Sequence, residues 1–241
     1  MSRDLVRAKL KAAGIHFLIS VLIFIGILYL ILVEWYPEPF FTAEGGWNGI
    51  KLMAAVDLVL GPTLTLIIFN ASKPKREIIF DLSVIAAVQV SALIWGGLQV
   101  YSERPVAFVM WEGTFYTVTE DYYDKQDIRL KELASYSDET PLIIYAETDH
   151  SVAQLERIQE YNQKKIPPYA QVHLYKSAKD NLEMVLSQQL DEEWILKNLG
   201  NVNTGGFAES EVYVFEAKAK YEDLRVVLDS KANLIEIIKA Q

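Results

Sequence analysis

The sequence predicts an α-helical membrane module of three transmembrane helices followed by a mixed α/β (α+β) extracytoplasmic domain. Three observations lead to this fold class. The first hundred residues contain three long apolar stretches, Lys and Arg flank these stretches on alternating sides, and the acidic remainder has the length of one globular domain. The predicted boundary separates an N-terminal membrane domain, residues 1–102, from a second domain, residues 103–241.

The apolar stretches cover residues 15–33, 52–69 and 78–100. The first has no Asp, Glu, Lys or Arg over 19 residues, which is enough to cross about 30 Å of hydrocarbon as a helix. Lipid offers no partners to the backbone, so all three stretches should be helical. A cleaved signal peptide is the alternative for the first stretch. Its length and the bulky Trp35-Tyr36-Pro37 that follows favour retention.

Basic residues set the predicted topology. They precede the first stretch and fill the loop between the second and third: Arg3, Arg7, Lys9, Lys11, Lys73, Lys75 and Arg76. Residues 34–49 contain three Glu and no Lys or Arg. The N-terminus should therefore be cytoplasmic and the C-terminal domain should lie outside the cytoplasm. Aromatic residues of the first loop are expected at the outer membrane interface: Trp35, Tyr36, Phe40, Phe41 and Trp47.

Charge is divided unevenly along the chain. Residues 1–100 carry 8 Lys and Arg against 7 Asp and Glu, whereas residues 101–241 carry 15 against 25. No basic surface is available to neutralise phosphates, so nucleic acid is not an expected partner. The chain has no cysteine, and the outer domain must therefore be stable without disulfides.

Polar residues inside the second stretch form a candidate binding site. Helical spacing places Ala54, Asp57, Gly61 and Thr65 on one face, and small residues let another helix approach closely. One interpretation is a seam that docks a helix of this or another protein. The alternative is ordinary packing among the three helices, with Asp57 bonded to a neighbour such as Lys51 or a loop backbone group. Pro62 removes one helical hydrogen bond and should distort the helix.

The third stretch contributes Asp81 and Gln89 to the same candidate seam. Gln89 lies near the middle of the bilayer and should form hydrogen bonds across helices. Asp81 is about one turn from the cytoplasmic end, where its carboxylate should reach the interface. His16, at the start of the first stretch, is expected to face solvent or lipid headgroups.

The outer domain alternates strand and helix patterns. Residues 106–111 and 115–119 predict a hairpin around Gly113. Further strands are expected at 142–146, 171–175, 211–217, 224–228 and 234–238, and helices at 127–136, 151–163, 179–189 and 192–199.

Catalytic motifs are not apparent. Glu147, Asp149 and His150 follow a predicted strand, where they would suit a metal or acid–base site, but a solvated polar turn explains them more simply. We therefore expect no catalytic residues, no metal, no cofactor and no enzymatic activity.

Several motifs in the first 110 residues occur together in a specific order. They are Lys11-Ala12-Ala13-Gly14-Ile15-His16, Trp35-Tyr36-Pro37, Gly45-Gly46-Trp47, Val56-Asp57-Leu58-Val59-Leu60-Gly61-Pro62-Thr63-Leu64-Thr65-Leu66, Lys73-Pro74-Lys75-Arg76-Glu77, Asp81-Leu82, Gln89 and Arg104-Pro105-Val106. This set resembles the TfpX/TfpZ family of type IV pilin accessory proteins. The chain then departs from the family pattern, with Trp111-Glu112-Gly113-Thr114-Phe115 where a basic turn is typical.

The resemblance implies a protein of the bacterial inner (cytoplasmic) membrane with a periplasmic domain. It implies that the protein binds a type IV pilin, the major pilin, together with other pilus-assembly components, and modulates assembly of pili and hence twitching motility. A membrane-anchored sensor or regulator with a ligand-binding periplasmic domain is the alternative.

Overall fold

The computed structural model describes residues 3–147, 159, 162–191, 195 and 212–240. They divide into two compact units. The helical unit comprises Met1–Pro37 and Gly45–Tyr101, and the sheet unit comprises Glu38–Glu44 and Ser102–Gln241. The short segment between the first two apolar helices thus belongs to the sheet unit.

Three helices of the helical unit are long and apolar enough to cross a membrane: Arg3–Trp35, Gly46–Ile68 and Lys75–Ser102. We call them the first, second and third apolar helices. The first consists of α1 (Arg3–Tyr29) and a π-helical turn, Leu30–Trp35. The second consists of α3 (Gly46–Ala54), a π-helical turn at Ala55–Leu60 and α4 (Gly61–Ile68), and the third is α5 (Lys75–Ser102). Large apolar side chains on all three are exposed, as lipid contact requires.

The π-helical turn of the second helix lies just before Pro62. The Gly61 N–H donates to the Val56 carbonyl, five residues back. Proline has no N–H, so an ordinary α-helix would lose one hydrogen bond here. The wider turn accommodates this irregularity without ending the helix.

The first and third helices contact each other at one end. The Tyr36 hydroxyl donates to the Val100 carbonyl at 2.8 Å. The rings of Trp35 and Tyr101 meet edge to face, with centroids 5.1 Å apart. Such aromatic pairs suit the boundary between lipid and water, where one end of the ring is wet.

A seven-stranded mixed sheet forms the centre of the sheet unit, in the order β4-β3-β1-β2-β5-β6-β7. The strands are β1 (Pro105–Trp111), β2 (Thr114–Thr119), β3 (Leu142–Ala146), β4 (Tyr175–Ser177), β5 (Val212–Lys218), β6 (Asp223–Asp229) and β7 (Leu234–Lys239). Strand β1 pairs parallel with β3, and β2 pairs parallel with β5. The other neighbours are antiparallel. The predicted fold class, three helices followed by a mixed α/β domain, is confirmed.

The hairpin around Gly113 is also confirmed. Its two turn residues, Glu112 and Gly113, have φ values of 50° and 82°, and two consecutive positive φ angles are typical of the tight turn that matches strand twist.

Helical elements of the sheet unit are shorter than the sequence predicts. Besides α2 (Phe40–Ala43), α6 (Glu120–Asp124) and α7 (Leu182–Leu186), they are 3₁₀ turns at Leu130–Ser135, Pro168–Ala170, Val172–Leu174 and Lys179–Asn181. The helix predicted at 127–136 begins late because Asp127 has a φ of 58°, which a continuous helix excludes. The helices predicted at 151–163 and 192–199 fall largely outside the described residues.

Both faces of the sheet are covered. On one face a cluster packs around Val109, Val118, Tyr123, Leu133, Ile144 and Tyr175. The other face carries a chain of aromatic rings in which Phe108 contacts Phe40 and Phe115, and Phe115 contacts Phe215. The core of the sheet unit therefore includes a residue from the loop between the first two apolar helices.

Phe40 and Phe41 are 5% and 2% exposed. The backbone of their segment is held as well, since the Tyr221 N–H donates to the Ala43 carbonyl at 2.9 Å. The prediction that both rings lie at the membrane interface is wrong. Burial within a folded domain satisfies the same apolar side chains more completely than an interface does.

Candidate functional site

The second apolar helix places three of the predicted seam residues in buried positions. Asp57 is 6% exposed, Thr65 is 1% exposed and Gly61 is buried. Ala54, the fourth residue of this predicted face, is half-buried. Asp57 lies within the π-helical turn, and Gly61 and Thr65 belong to the α-helix that follows.

The side chain of Thr65 forms a hydrogen bond with a residue of the first helix. His16 Nδ1 and Thr65 Oγ1 are 2.6 Å apart. Nearby, Lys9 Nζ donates to the Ile67 carbonyl at 2.9 Å, which satisfies one of the carbonyls left unpaired at a helix end. The structure therefore places His16 in a contact between helices, and the expectation that it faces solvent or headgroups is wrong. The sequence contains a signal for this contact, because His16 and Thr65 lie at similar depths in consecutive antiparallel stretches.

A residue of the third helix packs directly against Gly61. A Cβ atom at Gly61 would lie 2.0 Å from Gln89 Nε2 and 2.6 Å from Gln89 Cδ. The glycine thus gives Gln89 the space for its amide, and the contact joins the second and third helices. Ile85, one turn before Gln89, is 5% exposed.

Asp81 lies apart from these contacts. Lys73 Nζ donates to its carboxylate at 2.5 Å, and both side chains are partly exposed. The pair joins the start of the third helix to the preceding loop, so Asp81 is bonded locally and does not share the contact of Gly61 with Gln89.

Asp57 retains an unfilled acceptor. Its Oδ2 atom is buried, and no described residue donates a hydrogen bond to it. A carboxylate within a bilayer costs about 2.5–3.5 kcal/mol on insertion scales, and a donor from an incoming helix would reduce that cost. Of the six predicted residues, Gly61, Thr65 and Gln89 contact other apolar helices of the molecule. Asp81 pairs with Lys73, and Asp57 has an acceptor atom without a donor among the described residues.

Only Glu147 of the polar trio after β3 lies among the described residues. Asp149 and His150 lie outside the described residues. Glu147 lies 3.6 Å from Lys176 across the strand pair, and both side chains are more than half exposed. Among the described residues, no group of three His, Cys, Asp or Glu side chains is arranged to hold a metal ion.

Comparison with known proteins identifies a family model and relatives that each match part of the chain. The family model for fimbrial assembly protein FimB matches residues 4–45. A fimbrial assembly protein of serogroup E1 from Dichelobacter nodosus is 39% identical over 99 residues, which are 41% of this chain and 38% of that protein. The same organism's protein of serogroups C1 and C2 is 39% identical over 99 residues, 76% of its length.

The extent of these matches limits what they cover. The chain spans 38% of the length of the serogroup E1 and serogroup I proteins, and the match covers 41% of this chain. No solved structure matches the chain. Because the match accounts for 76% of the length of the serogroup C1 and C2 relative, at 39% identity, the chain belongs to the family of fimbrial assembly proteins.

Proposed function

We propose that this chain is a non-enzymatic accessory protein of the bacterial inner membrane that binds a type IV pilin, the major pilin, and modulates its assembly into pili. Other pilus-assembly components are further partners, and twitching motility is the cellular outcome. The observation that carries the proposal is the 39% identity over 99 residues to fimbrial assembly proteins. Within the family, the motifs centred on Asp57 and Gly61-Pro62 favour the TfpX/TfpZ type.

The helical unit offers a physical basis for binding a membrane-embedded partner. Exposed apolar side chains surround all three helices, so a partner helix can approach without first displacing protein. Association in lipid depends on packing and on hydrogen bonds across helices rather than on the hydrophobic effect. The Oδ2 atom of Asp57 receives no hydrogen bond from any described residue. Because this atom is buried, a partner helix would bond it only by displacing a side chain that now covers it.

Two independent features support a periplasmic sheet unit. Lys and Arg surround the N-terminus and the loop before the third helix, as in cytoplasmic segments. The segment Glu38–Glu44 packs into the sheet unit, so this loop and the C-terminal domain share one side of the membrane. Three membrane crossings likewise put the C-terminal domain on the side of the membrane opposite to the N-terminus.

Deletion of the gene tests the proposed function. We expect loss of surface pili and twitching, with recovery on expression of the intact protein, and co-purification of the pilin after mild solubilisation. Asp57→Leu should insert normally but retain less pilin. Ser91→Leu is the control, because it also replaces a polar residue of a membrane helix with leucine, but at an exposed position. Wild-type piliation in the deletion strain would overturn the proposal.

Topology is testable by cysteine labelling because the chain has no natural cysteine. Ser72→Cys lies in the loop before the third helix and Ser135→Cys in the sheet unit, and both positions are exposed. In intact spheroplasts, a membrane-impermeant maleimide should label the variant at position 135 and spare the variant at position 72. The reverse pattern would place the sheet unit in the cytoplasm and would contradict its proposed periplasmic location.

A further inference from the structure

The sheet unit contains a polar cleft of about 440 Å³ beside β2 and the end of β5. This volume lies within the usual range for small-molecule sites, about 300–1,000 Å³. Tyr116, Tyr122 and Tyr169 contribute aromatic surface to the cleft, and Glu44, Glu103 and Lys220 contribute charge. Sequence patterns do not predict this cleft, because its lining residues come from five separate segments of the chain.

Aromatic rings form a rigid wall on one side. Tyr116 and Tyr169 are stacked, with centroids 4.3 Å apart and planes 4° from parallel. Burial, and the neighbouring Tyr122 and Tyr116, raise the pKa of Tyr169 to about 12, so its hydroxyl keeps its proton at neutral pH. Clusters of tyrosine rings favour cationic ligands, because the face of each ring carries partial negative charge.

Most charges at the cleft already have partners. Lys220 Nζ donates to Glu103 Oε2 at 3.1 Å, and Lys125 pairs with Asp121. Glu44 differs, because its Oε1 atom is buried and receives no hydrogen bond from any described residue. Burial raises the pKa of Glu44, while hydrogen bonds from the Thr117 side chain and the Lys220 backbone act in the opposite direction. The carboxyl is therefore only half satisfied by the protein.

We infer that this cleft binds a ligand with a protonated primary amine, whose ammonium group donates to Glu44 while its carbon skeleton lies against Tyr116 and Tyr169. An ammonium ion supplies both requirements of a desolvated carboxylate, a hydrogen-bond donor and an opposite charge. An anionic ligand fits less well, because Glu44, Glu103 and Asp121 outnumber the two lysines of the lining. The ammonium belongs either to a free small amine or to a lysine side chain of a peptide.

Ligand-observed NMR on the full chain in nanodiscs of zwitterionic lipid tests this inference. Benzylamine represents a free amine, Nα-acetyl-lysine methylamide represents a peptide side chain, and benzyl alcohol is the uncharged counterpart of benzylamine. We expect saturable binding of at least one amine, with an affinity about tenfold or more above that of benzyl alcohol. The stronger of the two amines identifies the source of the ammonium group.

Two variants assign the contacts. Glu44→Gln keeps the shape of the side chain and should weaken amine binding about tenfold or more. Tyr116→Leu should weaken benzylamine binding through loss of the ring. Glu147→Gln, at an exposed carboxylate outside the cleft, should bind like the parent. A thermal unfolding curve for each variant separates loss of binding from loss of fold.

Three outcomes would overturn the inference: no saturable binding of either amine, equal affinity for benzylamine and benzyl alcohol, or unchanged amine binding by a folded Glu44→Gln variant. Each of these leaves the role in fimbrial assembly intact, because that role depends on deletion and pilin co-purification rather than on the cleft.

Discussion

Gly61 in the second apolar helix lies directly against the side-chain amide of Gln89 in the third, at a distance that excludes a methyl group. A Cβ atom at Gly61 would lie 2.0 Å from Gln89 Nε2. Small residues permit this kind of close approach between helices in a bilayer. The glycine in this motif is therefore explained by packing within the molecule.

Gly61→Ala should force the Gln89 amide out of its position. We expect a loss of about 1–3 kcal/mol in the free energy of unfolding in mixed micelles. Gly26→Ala is the control, because no atom lies within 4 Å of its added methyl group, and alanine is the better helix former. Adding Gln89→Ala to Gly61→Ala should restore most of the loss. Equal stability of the Gly61 and Gly26 variants would contradict this packing.

The contact between His16 and Thr65 gives a second prediction. Thr65→Val removes the hydroxyl but keeps the side-chain shape. It should cost about 0.6 kcal/mol of unfolding free energy and at most about 1.7 kcal/mol, the mean and the maximum for hydrogen bonds between membrane helices. Thr63→Val, at an exposed position of the same helix, should have little effect. A double-mutant cycle with His16→Leu measures the coupling, and a coupling energy of zero would exclude the hydrogen bond as a stabilising contact.

Secondary-structure elements that are determined by residues close together in the sequence were predictable. The hairpin follows from two β-rich runs around Glu112 and Gly113, and strand β3, Leu142–Ala146, has the predicted bounds. Local signals also identify the three apolar helices, since length and composition alone decide whether a helix can span a bilayer. The sheet order was not predictable, because strand pairing depends on contacts between distant segments.

The position of Phe40 shows why part of the fold was missed. An aromatic residue in a short acidic loop fits a membrane interface and a domain core equally well by composition. Only its partner, Phe108, distinguishes them, and that residue lies on a strand after the third apolar helix. The candidate seam was limited in the same way, since helical spacing places Asp57, Gly61 and Thr65 on one face but does not show which helices cover it.

Phe40 should be essential to the stability of the sheet unit. Its ring centroid is 5.5 Å from that of Phe108, and removal of a buried phenylalanine ring typically costs about 3–5 kcal/mol. We expect a loss of this size for Phe40→Ala, measured by urea unfolding with a proteolysis pulse. Tyr221→Ala is the control, because that ring is 58% exposed, and it should change stability by about 0.5 kcal/mol or less. A loss of stability for Phe40→Ala as small as that for Tyr221→Ala would show that the segment Glu38–Glu44 is not part of the core.

Glu44 should make the stability of the sheet unit depend on pH. Burial raises its pKa above the ordinary value of 4.5 in the folded state, so the folded chain holds this proton more tightly than the unfolded chain. The resulting stabilisation is complete below the unfolded pKa and is lost as pH rises through the folded pKa. Lys220 and Glu103 act on the same carboxyl in opposite directions, and burial is the larger influence.

Glu44→Gln removes this titration while keeping the size of the side chain. The stability difference between the variant and the parent should therefore favour the variant progressively as pH rises from about 4 to about 7. Thermal unfolding across this range measures the difference, and Glu147→Gln corrects for the loss of one carboxylate at an exposed site. A difference that stays constant with pH would mean that folding does not change the proton affinity of Glu44. If the stability difference instead shifted in favour of the parent as pH rises toward 7, the ionised carboxylate would be stabilised by its surroundings. An ammonium ligand would then have no unmet charge to neutralise.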